Sequence, residues 1–326
     1  MKPLQQPSSR PLRLAAALLI CASCLAPTVS SAQDAAKALG GLFKSLSLPG
    51  KPASNNSGGD KTLEVLQTLA KPVEQIDEPR EIEIGRQLAS VLLGAKPLYA
   101  DEKVQRYVNQ LGRWISLQSA RPNLPWTFAV IDDAGYNAFA APGGYIFITK
   151  GLLERVPDEA ELAGVLAHEI TQVVAKHHLQ ALRKAAESGK LTSALGQVAA
   201  TQIKGDLANA LIGQGVALAR NLYSKGLDRD DEFDADRAGV VLAARAGFDP
   251  YGLVSVVQGL RTASASDQLF ALNVATHPPA QQRLDQLEQS MGRRLDDLSG
   301  QPGVTVEQRL QLIMVGAKRN QAKPTQ

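Results

Sequence analysis

Apolar residues through the middle of the chain recur at helical spacing. In residues 101–118, "DEKVQRYVNQLGRWISLQ", Val104, Tyr107, Val108, Leu111, Trp114 and Ile115 fall at three- and four-residue steps, the period of one helix face. Asp101 stands where a side chain can cap the first turn. Residues 81–93, with Ile82, Ile84, Leu88 and Leu92, predict a second helix. The pattern then changes. "WTFAVIDD" (126–133) and "GGYIFIT" (143–149) are short apolar runs rich in β-branched and aromatic residues, and read as strands. Pro142, Gly143 and Gly144 punctuate a loop from Asn137 to Gly144. Residues 157–178 predict a long helix, with Pro157 in the first turn and Asp158, Glu159 and Glu161 at the amino end. Leu162, Val165, Leu166, Ile170, Val173 and Val174 supply its buried faces. An alanine-rich helical region follows over about 180–223, then helices at 230–246, 251–260 and 280–290, and a short element in "VTVEQRLQLIMV" after Pro302. The sum is an α+β fold, mostly helical with a small sheet.

The ends of the chain have a different character. Lys2, Arg10 and Arg13 precede an apolar run, Leu14 to Leu25, that is too short to span a bilayer comfortably. Ser30-Ser31-Ala32 follows, with small residues where a signal peptidase cuts. Residues 1–32 are therefore expected to be a secretory signal, with an uncleaved anchor as the alternative. Residues 33–60, rich in glycine, serine, proline and asparagine, predict a flexible leader. A body at 61–290 and a short C-terminal extension at 291–326 complete the division. Both cysteines, Cys21 and Cys24, lie in the signal. A mature chain from residue 33 then has neither a disulfide nor thiolate zinc ligands. Lipidation at Cys24 is a second use of that segment.

Charge changes the picture once. The whole chain carries 35 basic and 32 acidic residues, a net +3. Lys2, Arg10 and Arg13 lie in an acid-free segment, so a mature chain has 32 of each. The basicity belongs to the targeting segment and gives no reason to expect nucleic acid as a partner.

The candidate chemistry lies in "LAHEITQVVAKHH", residues 166–178. Helix positions four apart share a face, so His-Glu-x-x-His aims two imidazoles at one metal and a glutamate at its water. His168 and Glu169 are present, but Gln172 stands at the second histidine position and offers only an amide oxygen. On a straight helix His177 lies about 180° and His178 about 280° around from His168, so neither shares its site. One His-Glu pair alone is more often a core histidine beside a surface acid. A second helical stretch, "DEFDADRAG" (231–239), sets Glu232 and Asp236 one turn apart with Arg237 beside them. Such a pair can supply one metal ligand and one acceptor behind a ligand. A solvated acidic face is the plainer reading.

Several stretches in order, "NAFAAPGGYIFITKGLL" (137–153), "DEAELAGVLAHEI" (158–170), "EFDADRAGV" (232–240), "AGFDP" (246–250) and "THPPAQQRLDQL" (276–287), resemble the HtpX-like and CAAX-prenyl-protease-like zinc metallopeptidases. The likeness is nearest to their soluble periplasmic, BepA-like branch. That resemblance implies a zincin-type fold with a small sheet beside the active-site helix, and one Zn2+ per chain. It places metal ligands at His168, Glu232 and, where the family has histidine, Gln172. It implies that Glu169 activates water and that Asp236 and Arg237 support the site. His277, in the His-Pro segment, then approaches the zinc or serves in catalysis. The strand Gly144, Tyr145, Ile146, Phe147 and Ile148 is expected to pair with an extended substrate. The activity implied is hydrolysis of peptide bonds in periplasmic or outer-membrane proteins of a Gram-negative envelope. The leader could tether the body to the membrane periphery. Gln172 leaves three readings open: a zinc site that works through His168, Glu232 and His277; a non-catalytic protein that binds unfolded envelope proteins; or a one-base change from a histidine codon. Residues 291–326 are not expected to form a tetratricopeptide array, unlike the longer BepA-like architecture.

Overall fold

The computed structural model describes residues 72–187, 226–264, 266–300 and 303–311. The signal at 1–32, the leader at 33–60, the body's expected start at 61 and most of the helical region at 180–223 lie outside the described residues. Two helices open the fold, α1 (Glu78–Ala95) and α2 (Glu102–Ser116). Asp101 caps α2 as its position predicts, accepting from the backbone of Lys103 and Val104. The apolar stripe of α2 is buried, apart from Trp114. That residue is 54% exposed, and its Nε1 donates to the Ala246 carbonyl.

Three strands follow: β1 (Thr127–Ile131), β2 (Ala138–Ala141) and β3 (Tyr145–Thr149). The order across the sheet is β1-β3-β2, with β3 parallel to β1 and antiparallel to β2. β2 occupies the stretch expected to be loop. The turn from β2 to β3 requires Gly143 and Gly144, whose φ angles of 76° and 99° disfavour any side chain. Every residue of β1 and β3 is buried, as continuous apolar runs predict for strands covered on both faces.

α3 (Lys150–Leu153) leads into α4 (Glu159–Val174), capped by Asp158 through the Ala160 amide. α4 is buried nearly all round, as an apolar helix should be at the centre of a fold. The single helix expected over 157–178 is in fact two. Lys176 takes a left-handed φ of 59°, and α5 (His177–Glu187) sets off in a new direction. Lys176 Nζ lies 3.4 Å from Glu81 Oε2, and Glu81 is fully buried. That ion pair, joined by Arg121 at 2.8 Å, holds the break in place.

α6 (Arg229–Arg245) and α7 (Tyr251–Gly259) pack on α4. α8 (Ala271–Thr276) and α9 (Ala280–Met291) close the body. The described residues past 302 pack against the start of α4. Val306 is buried, its amide donates to the Pro157 carbonyl at 3.0 Å, and Arg309 grips Glu159 through two bonds of 2.8 Å. No helix among the described residues is long and apolar enough to cross a membrane.

Candidate metal centre

Three elements converge on one point. α4 carries His168, Glu169 and Gln172, α6 carries Glu232 and Asp236, and His277 follows the last residue of α8. α4 and α6 cross closely because Gly239 faces the backbone of His168. A Cβ there would lie only 3.0 Å from the His168 Cα. The close crossing brings the two acids of α6 up to the ring.

Each histidine is held the same way. His168 Nδ1 lies 2.9 Å from Asp236 Oδ1. His277 Nδ1 lies 3.1 Å from the Asn273 carbonyl and 3.0 Å from Thr276 Oγ1. An Nδ1–H donated to a fixed acceptor sets the ring's orientation and turns Nε2 toward the acid of α6. The two Nε2 atoms lie 3.6 and 3.7 Å from the same atom, Glu232 Oε2. Donor atoms of His168, Glu232 and His277 all fall within 4.8 Å of one another. Glu232 is 2% exposed, and its Oε2 has no hydrogen-bond partner. A buried carboxylate oxygen without a partner is costly. A cation between it and two imidazole nitrogens would remove that cost. Two histidines and a glutamate with room for water form a donor set that catalytic zinc takes. The residues present therefore fit a divalent metal.

The electrostatics agree. Burial opposes charge on His168, but hydrogen bonds and charges from Asp236 and Glu232 outweigh it and lift the imidazole to about 10. Burial likewise works against ionising Glu232, yet the neighbouring imidazoles of His277 and His168 hold it down to about 2. Asp236, against its own burial, is held well below the usual carboxylate range by Arg283. The site thus favours positive charge beside the His168 ring. Glu169, 4% exposed, is pushed up to about 7 by burial, which suits a base working near neutral pH.

Gln172 sits among the donors. Its Nε2 lies 2.8 Å from His168 Nε2 and 3.1 Å from Glu232 Oε1. The amide thus bridges the ring and the acid. A half-turn of the amide would present its oxygen instead.

The structure brings together six residues named from the sequence: His168, Glu169, Gln172, Glu232, Asp236 and His277. It separates Arg237 and the strand residues 144–148 from them. Arg237 is on the outer side of α6, paired with Asp234 and 3.5 Å from Gln286. The arginine behind the site is Arg283 of α9, whose Nε and Nη2 reach Asp236 at 2.8 and 2.5 Å. Tyr145, Ile146, Phe147 and Ile148 lie in the central strand, and Gly144 accepts from the Thr127 amide in the turn before it. With both edges of β3 already paired, that strand cannot take on a substrate. Among the described residues the outer strand beside the site is β2. A cavity of about 40 Å3 separates Ala138, Phe139 and Ala140 from Glu169, Glu232 and His277.

Asn137, which sequence reasoning did not name as a site residue, and His178, which it set aside on straight-helix geometry, line the same cavity. Asn137 is buried and its Oδ1 has no partner. The quoted "NAFAAPGG" stretch was the available signal for it.

Comparison with known proteins bears on all of these residues. Residues 101–291 match peptidase family M48. The beta-barrel assembly-enhancing protease of Escherichia coli (strain K12) is 29% identical over 209 residues, 63% of this chain and 42% of that protein. A putative beta-barrel assembly-enhancing protease of Vibrio cholerae is 29% identical over 227 residues, 67% of this chain and 45% of its own length. The mitochondrial metalloendopeptidase OMA1 of Schizosaccharomyces pombe is 29% identical over 188 residues, 56% of this chain and 52% of that protein. The chain thus spans about half or less of the length of these relatives.

Proposed function

This chain belongs to peptidase family M48, and we propose that it is an endopeptidase dependent on one divalent cation per chain, zinc by the chemistry of its donors. His168, Glu232 and His277 hold the cation, with Gln172 at the margin. The observation that carries this reading is the unpartnered Glu232 Oε2 facing two imidazoles whose Nδ1 atoms are already engaged. A bound cation would supply Lewis acidity, polarising the scissile carbonyl and acidifying water. Glu169 takes the proton from that water and passes it to the leaving amine. Asp236 and Arg283 fix the His168 ring. The substrate lies extended beside β2, which lines the cavity with Glu169 and Glu232, and pairs with backbone there; Asn137 Oδ1 accepts one of its N–H groups. Backbone pairing makes cleavage tolerant of sequence.

The substrates are polypeptides. The Escherichia coli relative is named for beta-barrel assembly. That name, with the secretory signal expected at 1–32, supports a periplasmic location and outer-membrane proteins among the substrates. A second reading is a non-catalytic protein that binds unfolded envelope proteins. It is favoured by the Gln172 amide, which occupies the atoms a metal needs.

Cleavage of an unstructured protein separates the two. The protease reading expects chelator-sensitive cleavage that zinc restores. Glu169→Gln should lower it by roughly 10²–10⁴-fold with zinc still bound. Binding of the same protein that is indifferent to chelator, with no cleavage, would favour the second reading.

A further inference from the structure

A buried histidine outside the ligand set lies on the same cavity. His178 is 7% exposed, and its Nδ1 has no hydrogen-bond partner. It shares the cavity of about 40 Å3 with Glu169, Gln172, Glu232 and His277. It reaches that place only because the helix breaks. Lys176 adopts φ 59° without being glycine, a conformation that disfavours a side chain. Lys176 is held there by the buried Glu81 and by the Ile76 carbonyl, 3.4 Å away. The turn sets the start of α5 at the cavity that Gln172 also lines, the position where a second motif nitrogen is missing. A neutral imidazole is a far better zinc ligand than an amide.

We propose that His178 is a nitrogen ligand that this chain uses in place of the histidine absent at position 172. The inference rests on the metal reading of this site. His168, Glu232 and His277 already converge within 4.8 Å. His178, on the cavity wall, joins them when its ring turns toward the bound cation and Gln172 leaves the donors. The unpartnered Nδ1 of His178 and the unpartnered Oε2 of Glu232 are then both satisfied by one ion. His177 does not share this role. Its Nε2 faces Asp231 at 3.8 Å on the outer side of α6.

The test is Zn2+ affinity by chelator competition, with the Co2+ absorption spectrum as an independent report on nitrogen ligation. His178→Phe keeps a planar ring of similar volume and removes the nitrogens. His178→Ala is the second variant, and melting temperatures in chelator confirm that each variant folds. In the chain as it stands, either substitution should weaken Zn2+ by about 10-fold or more and change the Co2+ spectrum. With Gln172→His also present, the same substitution should cost less than about 2-fold, because the new imidazole takes over the role. Equal Zn2+ affinity with and without His178, while His168→Ala still abolishes binding, would overturn the role of His178 and leave the site standing. An equal loss in both backgrounds would overturn the substitution argument. A wild-type chain that binds no Zn2+ would overturn both this inference and the metal reading.

Discussion

Gln172→His is expected to tighten Zn2+ by roughly 10–100-fold. Two effects act in the same direction. The amide nitrogen now lies 2.8 Å from His168 Nε2 and 3.1 Å from Glu232 Oε1, so zinc must first displace it from both ligands. An imidazole one turn beyond His168 would instead add a nitrogen on the same helix face. Cleavage should rise with metal occupancy at low zinc and rise less at saturating zinc. Chelator competition measures the first effect and kcat/KM across zinc concentrations the second. Unchanged affinity with His178→Phe also present would mean that position 172 does not face the metal.

Asp236→Ala is expected to destabilise the fold by about 3–5 kcal/mol. Asp236 is fully buried, and it accepts from both His168 Nδ1 and the Arg283 guanidinium. Removing it leaves the buried Arg283 charge without its partner. It also frees the His168 ring to turn, so zinc affinity should fall with stability. Asp236→Asn keeps the shape and part of the hydrogen bonding, and should be milder. Urea unfolding in chelator measures the folding cost apart from metal. A loss below about 1 kcal/mol would mean that the pair is not buried as described.

The site was legible where its chemistry is local. His168 and Glu169 adjoin on one helix, Glu232 and Asp236 lie one turn apart, and the His-Pro stretch marks His277. Arg283 was not legible, because its bond to Asp236 spans 47 residues and no periodicity reports it. Arg237 drew attention only by being next to Asp236, and helical geometry turns it outward. β2 was read as loop because Ala138, Ala140 and Ala141 give little strand propensity. Its pairing with β3 supplies what the residues do not. The break after Val174 has no glycine or proline to announce it. It depends on Glu81, far along the chain, and it brings His178 to the wall of the cavity beside the site. The tail illustrates the same limit, since Arg309 meets Glu159 across 150 residues.

Zinc content and stoichiometry of the full chain, after chelator stripping and controlled reloading, test the central claim most directly. One ion per chain, lost on His168→Ala, Glu232→Gln or His277→Ala in proteins that remain folded, is the predicted result. A folded wild-type chain that takes up no zinc at micromolar concentration would contradict it, and so would one whose zinc survives all three substitutions.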